Sequence, residues 1–307
     1  MRVMVMGTGG VGGYFGARLL QSGCDVKFVA RGEHLAALRD HGLRVESELG
    51  NIEFPKICVS DDPAAFGAAD LVLMCVKLWD TESAARAVQP VVGPDTAVIS
   101  LQNGVQKEET LRALLGDRSV IGGVCYINSK IVTHGVISQT GTLQRLLFGE
   151  MDGSTTARAE TFLAACQRSG IAAEISSDIR RTIWEKFVFI VGVSAATTTM
   201  RQTVGPICAN VQTRAFLLDL MREVVSVGRA HGVNLDEDFA ENRLAFCDGL
   251  PAEVTSSMHT DLEQGRRLEL AWLSGSVAKL GEMVGVQTPL NRAVNDILAL
   301  HAQGKQT

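Results

Sequence analysis

Short apolar runs recur along the first half of the chain, and segments with helical spacing separate them. Between these runs, Tyr14 to Gln21 and Thr81 to Val88 place their apolar residues on one side of a helix. Strands that alternate with helices in this way predict an α/β domain built on a parallel sheet. Four runs have the length of strands in such a sheet: residues 3–6, 25–30, 70–77 and 97–101.

The pattern changes twice further along the chain. Between Ser119 and Glu150, short apolar segments separated by glycines (121–127, 136–138 and 143–148) predict several β-hairpins that extend the sheet. From about Ser177 onward, helical spacing dominates and predicts helices over 179–193, 213–231, 252–260 and 268–284. We therefore predict two domains, an α/β domain over residues 1–178 and an all-α domain over residues 179–307.

A glycine-rich turn joins the first predicted strand to the first predicted helix. Its residues are Gly7, Thr8, Gly9, Gly10, Val11 and Gly12, which fit G-x-G-x-x-G. Gly7 permits the tight turn, Gly9 lets a pyrophosphate approach the backbone, and Gly12 lets the helix pack on the strand. A ligand-free turn is the alternative, but the order of strand, turn and helix favours a Rossmann-type domain with phosphates at the helix N-terminus.

Three polar residues stand at the carboxyl ends of predicted strands, where open α/β sheets bind their ligands. Arg31 occupies the place where an NAD-binding domain has an acid, and an arginine fork can pair with a 2′-phosphate. We therefore predict NADPH/NADP+ as the cofactor, the alternative being that Arg31 is only a solvated surface residue. Lys77 and Asn103 follow the third and fourth strands, and a site is favoured over helix-cap or turn roles.

Composition excludes several classes of protein. The net charge of -5 argues against a general nucleic-acid binder. The longest uncharged apolar stretch, Phe187 to Met200, is shorter than a bilayer span, and we find no signal-peptide pattern. The seven cysteines form no C-x-x-C pair and the six histidines have no metal-ligand spacing. We expect a cytoplasmic protein with reduced thiols, no catalytic metal, no membrane association and no nucleic-acid partner.

The second half of the chain contains two groups of candidate functional residues. Lys186 lies in a strongly apolar helical segment, where it either extends its ammonium to water or stands desolvated as a proton donor. Ser257 and Asp261 are four residues apart and share a helix face if that segment is helical. For Glu269, which follows two arginines, the spacing alone favours a surface ion pair with Arg266 or Arg267.

Taken together, these motifs resemble those of the ketopantoate reductases (2-dehydropantoate 2-reductases) over essentially the whole chain. The matching segments are Gly7–Leu19, Ala30–Leu35, Val76-Lys77, Gln102–Gly104, Trp184–Lys186 and Ser256–Met258, with Glu269 beyond them. The resemblance implies reduction of ketopantoate to pantoate by NADPH, a step in pantothenate and coenzyme A synthesis. It also implies that Lys186 is the general acid, that Ser257 and Glu269 contact the substrate or the lysine, and that Lys77 and Asn103 lie by the cofactor and the reacting centre.

One departure from the family pattern bears on the substrate. The family carries asparagines four and eight positions after the catalytic lysine, and these positions are Ile190 and Ser194 here. Loss of an amide removes a polar anchor, so another 2-oxo acid or an opine-like substrate is an alternative to ketopantoate. A non-catalytic NADP(H)-binding sensor is a further alternative. The long apolar helices after Thr213 also raise the possibility of a homodimer.

Overall fold

Ten strands of the first half of the chain form one sheet. The structure, a computed structural model, describes residues 1–305. In chain order the strands are β1 (Arg2–Met6), β2 (Asp25–Val29), β3 (Leu43–Ser47), β4 (Ile52–Phe54), β5 (Cys58–Ser60), β6 (Ala69–Met74), β7 (Val92–Ser100), β8 (Val120–Thr133), β9 (Val136–Gly149) and β10 (Ala172–Ile175). Their order across the sheet is β4-β3-β9-β8-β7-β6-β1-β2-β5, and β10 pairs with β9.

The predicted parallel sheet is confirmed. Strands β5, β2, β1, β6, β7 and β8 are neighbours in that order and all run parallel. Side chains of β1 alternate between the two faces: Val3 and Val5 belong to a core cluster that also contains Phe15, whereas Met4 packs in a second cluster with Leu111. A sheet covered on both faces explains why its strands have continuous apolar sequences.

Five α-helices belong to this part of the chain: α1 (Gly10–Gln21), α2 (Gly32–His41), α3 (Thr81–Val88), α4 (Lys107–Leu115) and α5 (Ala157–Arg168). One of the 3₁₀ turns in this part of the chain, over Pro63–Phe66, begins where the Asp62 carboxylate accepts the Ala64 N–H at 3.0 Å. The strand–helix alternation and the helix over Thr81–Val88 agree with the sequence pattern.

The segment between Ser119 and Glu150 extends the sheet as a β-hairpin, as predicted, but it forms one long hairpin and not several short ones. β8 and β9 form one long antiparallel hairpin, each strand spanning 14 residues, joined by His134 and Gly135. The apolar pattern stops short because the distal residues of β8 are mostly exposed and polar. β9 also pairs in parallel with β3 along its first part and with β10 along its second part.

Helices dominate the described residues from Ile179 onward. They are α6 (Ile179–Met200), α7 (Val204–Ala209), α8 (Val211–Ala230), α9 (Phe239–Asp248), α10 (Ser257–Glu263), α11 (Ser274–Val284) and α12 (Pro289–Leu298). Two predicted helices are shorter than expected. Residues 252–256 precede α10, and Glu269 precedes a 3₁₀ turn over Leu270–Trp272 instead of lying on a continuous helix to Val284.

The chain divides into two compact units, Met1–Thr182 and a second unit that begins at Ile183. The first unit is an α/β unit of Rossmann type and the second is all-α, so the predicted fold class is confirmed. The domain limits of 1–178 and 179–307 stay a prediction. Within residues 1–305, the helices are either too short or too polar to cross a membrane.

Candidate active site

The glycine-rich turn between β1 and α1 is tightly packed on one side and open on the other. Gly7 has a φ of +103°, which favours glycine, and a Cβ there would lie 2.8 Å from the Val76 nitrogen. A Cβ on Gly12 would fall on the Gly7 carbonyl oxygen and lie 2.8 Å from Val5 Cγ1. At Gly9, by contrast, no described atom beyond its own and the adjoining residues lies within 4 Å of the Cβ position. The turn therefore has the open approach that a pyrophosphate requires.

Thr8 fixes this turn to the neighbouring strand. Its backbone N–H and its Oγ1 both donate to the Val29 carbonyl oxygen, at 3.0 and 2.9 Å. Gly9 is the N-cap of α1 and has no side chain to bond the first N–H groups of the helix. The first N–H groups of any α-helix lack intrahelical partners, so this end of α1 suits an anion.

Arg31 lies where β2 ends and is the N-cap of α2. Its guanidinium donates to the Asp80 carboxylate at 2.7 Å, and the Arg31 side chain is still 68% exposed. The exposed donors of a five-donor fork are available to a second anion. Asp80 was not among the sequence candidates, and no local pattern identifies it, because the contact spans 49 residues.

Lys77 and Asn103 lie just beyond the carboxyl ends of β6 and β7. Lys77 precedes a 3₁₀ turn over Leu78–Asp80 without capping it through its side chain, and its Nζ lies 5.7 Å from the Trp79 ring centroid. Next to Asn103, the buried Gln102 donates to Thr81 Oγ1 at 2.8 Å and accepts from Ser100 Oγ at 2.9 Å. Gln102 therefore anchors the loop that carries Asn103 to α3.

A buried ion pair follows this loop at the start of α4. Lys107 Nζ bonds the Glu108 carboxylate and donates to the Gly123 carbonyl oxygen at 2.9 Å. The two side chains are 1% and 4% exposed. In the described part of the chain, Glu108 Oε2 has no hydrogen-bond partner. The pair ties the end of the Asn103 loop to β8.

In the second unit, α6 carries Lys186, Ile190 and Ser194 at intervals of four residues, on one face of the helix. Lys186 and Ile190 are partly buried, and Ser194 is fully buried. Thr198 continues this row, is 0% exposed, and its Oγ1 has no hydrogen-bond partner among the described atoms. Thr198 was not among the sequence candidates, although it follows Ser194 by four residues.

The adjacent residues Ser256 and Ser257 differ in their surroundings, because Ser256 caps a helix and Ser257 is exposed. Ser256 is the N-cap of α10, accepts the His259 N–H at 3.0 Å, and lies 2.8 Å from Thr197 Oγ1 on α6. Ser257 is exposed at the first position of α10. Ser257 and Asp261 both lie on α10, four residues apart, so the helix that their shared face requires is present.

Glu269 is buried, with 7% of its surface exposed. Of the two arginines expected as partners in a surface ion pair, Arg266 bonds the Asp261 carboxylate at 2.8 Å, and the Arg267 guanidinium lies 5.8 Å from the Trp272 ring centroid. Burial of a carboxylate is costly unless it is bonded or paired, so this position differs from the exposed surface residue that the local spacing favours. No group of three or more potential ligands within residues 1–305 is arranged to hold a metal ion.

Two family models match the chain. The model described as ketopantoate reductase PanE/ApbA covers residues 3–153, and its C-terminal companion covers residues 178–302. The chain belongs to the ketopantoate reductase family. It is therefore an oxidoreductase of that family, as the sequence resemblance predicted, and pantothenate biosynthesis is the process that follows from the family.

Individual members of the ketopantoate reductase family match over nearly the full length. The chain is 34% identical to the 2-dehydropantoate 2-reductase of Archaeoglobus fulgidus over 299 residues, which is 97% of this chain and 96% of that protein. The crystal structure of a PanE/ApbA family ketopantoate reductase from Ralstonia eutropha superposes with a TM-score of 0.90 at 32% identity, covering 98% of each chain. A D-mandelate dehydrogenase in ternary complex with NADH and anilino(oxo)acetate has a TM-score of 0.90 over 98% of each chain, but at 20% identity this likeness shows the fold alone.

Proposed function

We propose that the protein is an NADPH-dependent 2-dehydropantoate 2-reductase, which reduces ketopantoate to pantoate. The similarity to the archaeal 2-dehydropantoate 2-reductase over 97% of the chain carries the choice of reaction. The exposed Arg31 fork at the end of β2 supports NADPH over NADH, because a guanidinium pairs with a 2′-phosphate.

The first unit fits a dinucleotide. An open Cβ position at Gly9 leaves room for a pyrophosphate, and the N-terminus of α1 offers N–H donors to it. Arg31 would hold the 2′-phosphate, and Lys77 and Asn103 would hold the remainder of the cofactor. The chemistry that NADPH would supply when bound by these residues is hydride donation to the C2 carbonyl carbon of the substrate.

The proton chemistry belongs to the second unit. Lys186 donates a proton to the carbonyl oxygen of the substrate as negative charge develops there, which completes the conversion of ketone to alcohol. Buried Glu269 orients the Lys186 ammonium or accepts a hydrogen bond from the substrate hydroxyl. Asn103 holds the amide end of the cofactor or the carboxylate end of the substrate. Ser257, exposed at the start of α10, is the remaining substrate contact in this proposal.

Ile190 supports a second candidate, a reductase of another 2-oxo acid. A partly buried isoleucine offers no hydrogen bond where the family pattern has an amide, so this part of the site is more apolar. A pocket without that anchor discriminates weakly between a substrate with a hydroxyl and one without it.

The test is the loss of NADPH absorbance when the purified protein is mixed with ketopantoate, with NADH in parallel. Fast oxidation that is selective for NADPH supports both the reaction and the cofactor. Faster turnover on 3,3-dimethyl-2-oxobutanoate, which lacks the hydroxyl, would favour the second candidate. Tight NADPH binding without turnover on any 2-oxo acid would contradict both and indicate a sensor. Sedimentation of the same preparation tests whether the protein is a homodimer.

A further inference from the structure

His34 bonds two segments that lie far from it in the sequence. It sits on the first turns of α2 and is buried, with 8% of its surface exposed. Its Nε2 lies 2.7 Å from the Thr8 carbonyl oxygen in the glycine-rich turn. Its Nδ1 lies 3.2 Å from the Gly135 nitrogen in the turn between β8 and β9. The imidazole therefore bridges the glycine-rich turn and the β8–β9 hairpin.

These two partners define the protonation state of His34. The Gly135 N–H can only donate, so Nδ1 must be the acceptor. Nε2 then carries the proton and donates to the Thr8 carbonyl oxygen, which is the neutral imidazole. Burial lowers the pKa of His34 from its ordinary value, and the nearby His134 acts in the same direction. The neutral form is thus the form that makes both bonds.

The bond to Thr8 fixes the direction of one peptide group. The Thr8–Gly9 peptide bond is trans, as are all peptide bonds within residues 1–305. In a trans peptide the C=O and N–H point in opposite directions, so a Thr8 carbonyl held by His34 aims the Gly9 N–H away from His34. Gly9 has no side chain to resist rotation of this peptide group. Its orientation at the mouth of the phosphate turn therefore depends on His34.

The hairpin reaches the same turn. A Cβ on Gly10, the first residue of α1, would lie 2.5 Å from the Ser129 carbonyl oxygen and 2.9 Å from Lys130 Cα. The distal part of β8 thus packs directly against the N-terminal turn of α1. His34 anchors the end of this hairpin through Gly135 and anchors the glycine-rich turn through Thr8.

We propose that His34 is a positioning residue for the cofactor pyrophosphate, which orients the Thr8–Gly9 peptide and holds the β8–β9 hairpin against the start of α1. The inference rests on the proposed dinucleotide binding and on none of the catalytic steps. It predicts a loss of pyrophosphate affinity without a loss of 2′-phosphate affinity, because Arg31 makes its own contact with Asp80.

The first experiment uses calorimetry on purified full-length protein to measure separately how His34 affects binding of the pyrophosphate and of the 2′-phosphate. His34→Leu removes both hydrogen bonds at similar volume, and we expect an about tenfold increase in the Kd for NADPH. The Kd for adenosine 2′-monophosphate, which has no pyrophosphate, should be unchanged. His34→Gln keeps a donor for the Thr8 carbonyl and should restore NADPH binding to within about twofold of wild type. Equal weakening of both ligands in His34→Leu, or unchanged NADPH binding, would overturn the proposal.

His134→Gln is the matched control. His134 lies next to His34, with ring centroids 6.0 Å apart, but it is exposed and pairs with Glu33. This variant should bind NADPH like wild type. If His34→Leu does not fold, the Gln variant decides, because a tenfold loss of affinity there would contradict the donor role.

A pH series adds a second readout. Protonated Nδ1 cannot accept the Gly135 N–H, so NADP+ binding by wild type should weaken on acidification more steeply than binding by His34→Gln. The 2′-phosphate of NADP+ and the neighbouring His134 and Glu33 side chains are common to both experiments, so the difference between the two proteins reports His34. Identical slopes would overturn the inference. Failure of the wild type to bind any dinucleotide would overturn this proposal together with the proposed function, whereas binding without ketopantoate turnover would overturn only the latter.

Discussion

The Arg31 guanidinium donates a hydrogen bond of 2.7 Å to the carboxylate of Asp80, 49 residues further along the chain. The cation proposed to recognise a 2′-phosphate therefore already has an anionic neighbour. Asp80 holds the fork in place, but its negative charge opposes a second anion on the same fork. These two effects are separable, because an amide keeps the hydrogen-bond acceptor and removes the charge.

Asp80→Asn should increase the preference for NADPH over NADH. A unit charge about 6 Å from a phosphate in a well-solvated site costs about 0.7 kcal/mol, which corresponds to about threefold in affinity. Binding titrations with both nucleotides measure the ratio of Kd values. Asp61→Asn is the control, since Asp61 is an exposed carboxylate that pairs with Arg39 at 3.4 Å. A preference that falls in Asp80→Asn would show that the carboxylate charge is needed to hold Arg31.

Lys186→Met should leave NADPH binding intact and reduce kcat by about 10²- to 10⁴-fold, the usual contribution of a general acid. Stopped-flow reduction of ketopantoate gives the rate, and fluorescence titration gives the Kd. Lys279→Met, which removes an exposed lysine from α11, is the matched control and should have wild-type kcat. Near-normal turnover by Lys186→Met would remove this lysine from the mechanism.

The local parts of the fold and site were readable from the sequence, and the tertiary ones were not. The run from Val3 through Gly12 predicts strand, turn and helix, because an apolar strand and glycine spacing are local features. Several short hairpins were predicted in place of one long hairpin because the distal part of β8 is largely exposed and has no apolar pattern.

The contacts of the candidate site show the same division. Glu269 was favoured as a surface residue because adjacent arginines dominate the local pattern, whereas burial at this position depends on the packing of the whole unit. His34 and Asp80 act through partners 26 and 49 residues away. No spacing rule encodes such contacts, so only the folded chain identifies these residues.

Ile190→Asn should change substrate discrimination. An added amide can hydrogen-bond a substrate hydroxyl, and a site built for that bond rejects an analogue that lacks it. We expect the ratio of kcat/KM for ketopantoate to kcat/KM for 3,3-dimethyl-2-oxobutanoate to rise about tenfold. Ile190→Val, which changes volume without adding a polar group, should leave the ratio unchanged. An unaltered ratio in Ile190→Asn would mean that this position does not face the substrate hydroxyl.

Breaking the Lys107–Glu108 pair by removing one charge should lower the free energy of unfolding more than removing both charges. Lys107→Met leaves a buried carboxylate without its cation and should lower the free energy of unfolding by about 3 kcal/mol or more. The double variant Lys107→Met/Glu108→Met removes both charges and should be more stable than Lys107→Met alone. Urea unfolding measures both. Arg112→Met, which breaks the exposed pair with Asp117, should cost less than about 1 kcal/mol. A double variant less stable than Lys107→Met would contradict this account.

Two adjacent threonines on α6 offer a matched comparison of a bonded and an unbonded hydroxyl. Both are 0% exposed. Thr197 Oγ1 donates to the Val193 carbonyl oxygen at 2.7 Å and lies 2.8 Å from Ser256 Oγ, whereas Thr198 Oγ1 has no hydrogen-bond partner in the described chain. Thr197→Val should therefore lower the free energy of unfolding by about 1 kcal/mol or more. Thr198→Val removes an unsatisfied polar group at equal volume, so it should be neutral or stabilising by up to about 1 kcal/mol.

Urea denaturation of the two variants in parallel measures the difference. Equal destabilisation would mean that the Thr198 hydroxyl is bonded in solution, through water or substrate, and a rise in the KM for the 2-oxo acid in Thr198→Val would identify the substrate as that partner.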